Sequence, residues 1–190
     1  YNEAIKLLTQ LVATNPKSVA MGQRLADCYE KTGNLQMAKN TYTNLIRLGK
    51  IPADVYYRYA ILCMKTDDKD KAETIFKKVI QLDPKNPYAH KDLGVVYLTQ
   101  RLFDYAKEEF ETAYKMAPED SAVVFEMANF YHAMNDFQKA KELYEKAFKL
   151  APEVMDIAVF RAINYLRLNE IDTALELFLD AMKKYPSQHI

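Results

Sequence analysis

The side chains of this chain equipped to catalyse or to hold a metal are three histidines, His90, His132 and His189, two cysteines, Cys28 and Cys63, and acidic pairs such as Asp67 with Asp68 and Glu108 with Glu109. A histidine beside a carboxylate or thiol suits acid–base or nucleophilic work, and closely spaced Cys and His suit zinc. The spacing supports neither. The histidines are scattered, no Cys or His pair has metal-ligand spacing, and the acidic pairs lie among lysines, the pattern of a solvated face. Only 4 glycines are present, too few for a glycine-rich phosphate loop. We therefore expect no catalytic residue, no metal and no cofactor, and read the chain as non-enzymatic.

Charge narrows the function further. Lysine plus arginine and aspartate plus glutamate number 26 each, so the chain has no global electrostatic attraction for nucleic acid, and no nucleic-acid partner is expected. No run of about 18 apolar residues exists, so no direct membrane insertion is expected either. Two cysteines in apolar pattern read as buried thiols, which with the missing membrane segment makes cytoplasmic the default placement. A periplasmic or membrane-anchored parent protein stays open, because the chain opens inside a repeat.

That repeat organises everything else. Alanine recurs every 34 residues, at Ala4, Ala38, Ala72, Ala106, Ala140 and Ala174. A period of this size marks units that bury their apolar faces only against their neighbours. Residues 1–18 read as the second helix of a truncated repeat, followed by full repeats at 19–52, 53–86, 87–120, 121–154 and 155–188 in one continuous array. Within each, two amphipathic patterns of about 14 residues flank a short polar turn, as in 53–66 with 69–82, 87–100 with 103–116, 121–134 with 137–150, and 155–168 with 171–184. Ala26, Ala60, Gly94, Ala128 and Ala162 keep the first helix close to the second. Tyr29, Tyr97, Tyr131 and Tyr165, with Tyr42, Phe76, Phe110, Tyr144 and Phe178, are expected to fill the core beside them. Pro16, Pro84, Pro118, Pro152 and Pro186 end the second helices.

The small residue, the aromatic three positions later, the alanine and aromatic of the second helix and the closing proline together resemble the tetratricopeptide repeat family over residues 1 to about 188. The resemblance implies an all-α fold, a right-handed α-solenoid of antiparallel helix pairs with about five and a half repeats, whose first helices line a concave groove where peptides dock. Two familiar groove chemistries of that family are incomplete here. A clamp for the acidic tails of heat-shock chaperones would need an asparagine where Lys91 is followed by Val95, and a lysine where Ala20 and Asp54 precede Arg24 and Arg58. An asparagine ladder would need asparagine at Arg24, Arg58, Asp92, Glu126 and Phe160.

The groove-facing frame positions are Gln23, Asp27 and Glu30 in the first full repeat, then an apolar and aromatic stripe. Candidate peptide-binding residues are Tyr57, Ile61, Met64, Tyr88, Lys91, Val95, Leu98, Phe125, Asn129 and His132, continued by Val159, Ile163 and Leu166. Such a lining suits an amphipathic helix or an extended segment with apolar anchors, so the expected partner is a protein or peptide. In the last repeat Leu175 and Leu179 replace the polar residues of the inner repeats, and with Met182 they form an apolar stripe expected to make an oligomer or capping contact. The alternatives to a peptide scaffold are therefore a self-assembly module using the solenoid edges and the regulatory repeat region of a larger enzyme.

Overall fold

The computed structural model describes residues 1–185; Pro186 and His189 lie outside them. Among the described residues the chain forms eleven helices and no strand: α1 Asn2–Thr14, α2 Val19–Lys31, α3 Leu35–Arg47, α4 Ala53–Lys65, α5 Lys69–Leu82, α6 Pro87–Thr99, α7 Phe103–Met116, α8 Ser121–Ala133, α9 Phe137–Leu150, α10 Met155–Arg167 and α11 Ile171–Lys184. None is long and apolar enough to cross a membrane. They gather into two compact units, Tyr1–Ala89 and one beginning at His90.

Four second helices, α1, α5, α7 and α9, stop for the same reason. Asn15, Asp83, Ala117 and Ala151 precede a proline, whose ring bars the helical region to its neighbour, and all four take φ between −135° and −143° with ψ between 65° and 81°. Each still donates its N–H to the carbonyl four residues back, which closes the last turn. The third helix has no such proline. It ends at Leu48, and Gly49 turns the chain with φ +95°.

The end of each first helix uses a left-handed residue instead. Gly33, Asp67, Arg101, Asn135 and Asn169 stand 34 residues apart with φ between +54° and +76°. The following N–H reaches back five residues, Asn34 to Tyr29, Asp68 to Cys63, Leu102 to Tyr97, Asp136 to Tyr131 and Glu170 to Tyr165, at 2.8–3.0 Å, forming a Schellman cap. Glycine and asparagine tolerate this conformation, whereas Arg101 strains to adopt it. Arg101→Gly should therefore stabilise by about 0.5–1 kcal/mol, and Gly33→Ala should destabilise by about 1 kcal/mol. Chemical denaturation of both variants checks this; a loss for Arg101→Gly would contradict it.

In the first unit α1 packs on α2, α2 on α3, α3 on α4 and α4 on α5. The interior is layered from Tyr42, Tyr59, Phe76, Leu62 and Val79, all fully buried, with the Tyr42 and Tyr59 rings stacked at 5.7 Å. In the second unit α7 packs on α8, α8 on α9, α9 on α10 and α10 on α11. Ala106, Ala140 and Ala174 have no exposed surface, nor do Ala128 and Ala162 opposite them. Gly94 is tighter still, since a Cβ there would come within 2.9 Å of the Phe110 ring.

Some residues expected in the core are less covered. Tyr131, Tyr165 and Phe178 are only half-buried: the Tyr165 hydroxyl reaches out to Glu145 at 3.1 Å, and Lys139 lies 5.1 Å over the Tyr131 ring. Ala4 is half-buried too, on α1, which packs chiefly on α2. Of the thiols, Cys63 is buried and its ionisation is pushed up to about 11 by burial, whereas Cys28 is only half-buried.

Candidate functional site

Within each unit, side-chain contacts between first helices, α2 with α4 and α8 with α10, define a surface. In the first unit this surface runs between α2 and α4. Residues four and seven apart share a helix face, so Gln23, Asp27 and Glu30 on α2 meet Asp54, Arg58 and Lys65 on α4. Gln23 Nε2 donates to Asp54 at 2.9 Å, Arg58 donates to both oxygens of Asp27 at 3.2 and 3.3 Å, and Lys65 Nζ donates to Glu30 at 3.4 Å. Between these rungs lies an open groove of about 540 Å³ lined by Asp27, Glu30, Lys31, Tyr57, Arg58, Ile61 and Lys65. Its ion pairs are too exposed to add much stability. Their effect is to pair Asp27 with Arg58 and Glu30 with Lys65 across the groove, while Lys31 lies 5.4 Å over the Tyr1 ring. Below them the buried Tyr42 hydroxyl donates to Glu30 at 3.3 Å, and burial followed by the Glu30 and Asp27 charges raises its ionisation.

The candidate residues of this unit are all partly accessible. Tyr57 stands edge-on to Phe76 at 5.9 Å, Ile61 lines the groove, and Met64 is half-buried one turn later. Tyr88, at the start of α6, is 43% exposed.

In the second unit the surface runs along α6, α8 and α10. Val95 and Leu98 are half-buried, and Lys91 lies 2.7 Å from the buried Asp92. Phe125 packs between Tyr144 at 5.9 Å and Phe160 at 5.6 Å, and it also seals two clusters built on Val124, Ala147 and Ile157 and on Ala128, Ala140 and Tyr144. It is therefore as much a wall of the core as a lining of the surface. Asn129 accepts the Tyr144 hydroxyl at 2.7 Å and donates to Glu126 at 3.1 Å. His132 Nδ1 lies 3.0 Å from Asn164 Oδ1, and Asn164 Nδ2 donates to the Phe137 carbonyl at 2.9 Å. That second bond fixes the amide, so His132 Nδ1 is the donor. Val159 and Ile163 continue the face half-buried, and Leu166 is 46% exposed.

Several members of this surface are not among the candidate peptide-binding residues that the sequence pattern named. Glu126 and Phe160, named above only as positions an asparagine ladder would occupy, lie one residue beyond the candidate frame position; Glu126 accepts from Asn129, and Phe160 is 40% exposed and edge-on to Phe125. Asn164 was detectable in principle: it occupies the frame position of Leu62, Val96 and Phe130, and a lone polar residue at a fully apolar position announces a buried hydrogen-bond partner.

The catalytic candidates do not converge. His90 pairs with Glu109 at 2.6 Å and His132 with Asn164, each across a different pair of helices. No group of three His, Cys, Asp or Glu side chains able to hold a metal occurs among the described residues. On α11, Leu175, Leu179 and Met182 are about half exposed, as is Ile171 one turn before them.

Residues 23–149 match the family model of the cilia and flagella-associated protein 70 middle TPR-like domain, and residues 125–189 match that of the tetratricopeptide repeat. The chain belongs to the tetratricopeptide-repeat family. Its helix pairs make an α-solenoid of about five and a half repeats. The mouse FK506-binding protein-like protein is 30% identical over 105 residues, 55% of this chain, so the chain spans only 30% of the length of that curated relative. Among solved structures, MamA (residues 41 to the end) from Desulfovibrio magneticus RS-1 superposes with a TM-score of 0.75 at 23% identity, covering 90% of this chain and 97% of that one. YrrB, described as a TPR protein with an unusual peptide-binding site, superposes with a TM-score of 0.67 at 16% identity over 95% of this chain and 93% of its own. At these identities the likeness is one of tetratricopeptide fold.

Proposed function

We propose that this tetratricopeptide array is a non-enzymatic interaction scaffold that binds a peptide or partner subunit along the first-helix face of its units. The observation that carries the reading is an apolar and aromatic lining that packing leaves uncovered. Tyr88, Phe160 and Leu166 are each at least 40% exposed, and Ile61 lines an open groove. Exposed rings held by a rigid scaffold supply contact area at little entropic cost. A peptide-binding site named for YrrB, a chain of the same fold, agrees with this use. Tyr57, Ile61, Met64 and Tyr88 would anchor the ligand on the first unit, and Val95, Leu98, Phe125 and Leu166 on the second, with Lys91, Asn129 and His132 supplying polar contacts. Hydrogen exchange with a display-selected peptide tests the placement. Protection should rise in α4, α8 and α10, and protection confined to the second helices would contradict it.

A second reading has its own observation. In inner pairs the positions equivalent to Leu175 and Leu179 contact the next pair: Lys39 meets Asp68 at 3.0 Å and Thr43 meets Tyr59 at 3.1 Å, as Lys141 meets Glu170 at 2.8 Å and Glu145 meets Tyr165 at 3.1 Å. Leu175, Leu179 and Met182 thus occupy a stacking face with no partner among the described residues, and a second copy of the chain would be served by it. Light scattering should then show a dimer or larger species that Leu175→Lys with Leu179→Glu returns to monomer. A monomeric parent chain would contradict this reading.

A further inference from the structure

We propose that the first-helix face of the second unit takes a peptide segment carrying a lysine or arginine beside an apolar residue, the cation on the Glu126 carboxylate and the apolar side chain against Phe160. The proposal rests on the peptide-scaffold reading and gives its ligand a chemistry.

Charge at equivalent positions of the repeat differs between the two units. In the first unit Arg58 answers Asp27, and Lys65 answers Glu30. The second unit carries Lys91 and Asp92 on α6 and Glu126 on α8, while α10 offers the uncharged Phe160 in the same frame position. Lys91 is engaged by Asp92 at 2.7 Å. The cations of α10 are turned elsewhere, Arg161 over the Phe148 ring at 3.8 Å and beside Glu145 at 3.5 Å, Arg167 over Phe137 at 4.9 Å. Glu126 therefore has no ion pair among the described residues. It is half-buried, and a carboxylate withdrawn from water without a counter-charge is costly. Burial is accordingly the largest influence on its ionisation, raising it against the opposing pull of Asn129 and Lys91, with Asp92 adding to the rise.

The carboxylate is also held for use. The Tyr144 hydroxyl donates to Asn129 Oδ1, which directs the Asn129 amide N–H onto Glu126. The acceptor is thus oriented before any ligand arrives, and little ordering remains to be done on binding. Phe160 holds the equivalent repeat position on α10, and its exposed ring stands edge-on to Phe125, the residue before Glu126. A ring face next to a carboxylate accommodates the apolar stem of lysine or arginine while the carboxylate takes the charged head.

An array of dodecapeptides with two fixed leucines and one varied position, Arg, Lys, Gln or Glu, tests this on residues 1–190. The wild type should bind the Arg and Lys members about tenfold more tightly than the Gln members. Glu126→Gln should abolish that preference while retaining the leucine-dependent binding, and Glu126→Lys should shift it to the Glu members. Absence of the preference in the wild type, or its survival in Glu126→Gln, would overturn the proposal. If no member binds, or if Phe160→Ala with Leu166→Ala leaves all binding unchanged, the scaffold reading falls with it. A wild-type dimer dissociated by Glu126→Lys would assign the face to a second copy and overturn the peptide proposal.

Stability provides a readout free of peptides. A carboxyl group whose folded-state ionisation lies above its ordinary value of 4.5 destabilises the fold once pH rises past that value, and fully so above the raised value. Glu126→Gln should therefore raise the denaturation midpoint at pH 7, with the gain disappearing as pH falls below 4.5. A lowered midpoint at pH 7 would mean that the carboxylate already has its cation in the free chain, and would overturn the proposal.

Discussion

Filling the space at Gly94 and emptying it at Phe110 should each destabilise the second unit, and doing both should cost less than the sum. A Cβ at Gly94 would come within 2.9 Å of two carbons of the Phe110 ring, which is itself 1% exposed. Gly94→Leu overpacks this contact and should lose about 1–3 kcal/mol. Phe110→Ala leaves a cavity beneath α6 and should lose about 3–5 kcal/mol. In the double variant the leucine occupies room vacated by the ring, so its loss should fall at least about 1 kcal/mol short of the summed single losses. Urea denaturation of the four chains measures all three values. Strict additivity would show that the side chains do not share one space, and an unchanged midpoint for Gly94→Leu would break the close-approach account of the small first-helix residues. Ala106→Leu, at a site with no exposed surface, should resemble Gly94→Leu.

The same contact shows why the fold was legible in the sequence. Small residues at Ala26, Ala60, Gly94, Ala128 and Ala162, and the alanine period opposite them, are demanded by backbone approach, which few side chains satisfy. The prolines following Asn15, Asp83, Ala117 and Ala151 act on the residue before them with no help from tertiary packing, so these helix ends were readable locally. Left-handed closure of the first helices was harder to see. Gly33, Asn135, Asn169 and, more weakly, Asp67 signal it, but Arg101 adopts it against preference, held there by the Schellman hydrogen bond from Leu102 to Tyr97.

The candidate site was legible in its position and less so in its detail. Frame spacing puts Tyr57, Ile61 and Met64 on one helix face whatever surrounds them. It does not say how far a ring sinks between helices, which is why Tyr131 and Tyr165 are more open than the pattern suggests and Phe125 is partly committed to the core. Nor does spacing reveal pairing across 31 to 35 residues: the rungs from Gln23 to Asp54, Arg58 to Asp27 and Lys65 to Glu30 depend on how α4 is set against α2. The unanswered charge of Glu126 emerges only once those pairings are known.

A second large effect is expected in binding. Ile61→Ser and Met64→Ser on α4, or Phe160→Ala and Leu166→Ser on α10, remove anchors that are at most half-buried. At least one of the two pairs should weaken a display-selected peptide about 10- to 100-fold, since truncating a central anchor typically costs about 2 kcal/mol or more. Folding should change little in comparison, because none of these four side chains belongs to the fully buried layers of either unit.

The most direct measurement is a calorimetric titration of one selected peptide into the wild-type chain, the two first-helix pairs of substitutions, and an outer-face control, Lys78→Ser with Gln81→Ala on α5. The account predicts tenfold or greater weakening by at least one first-helix pair, an unchanged control, and helical circular dichroism retained in all four proteins. Full affinity in both first-helix variants, or a loss confined to the α5 control, would contradict the claim that the first-helix face binds the partner.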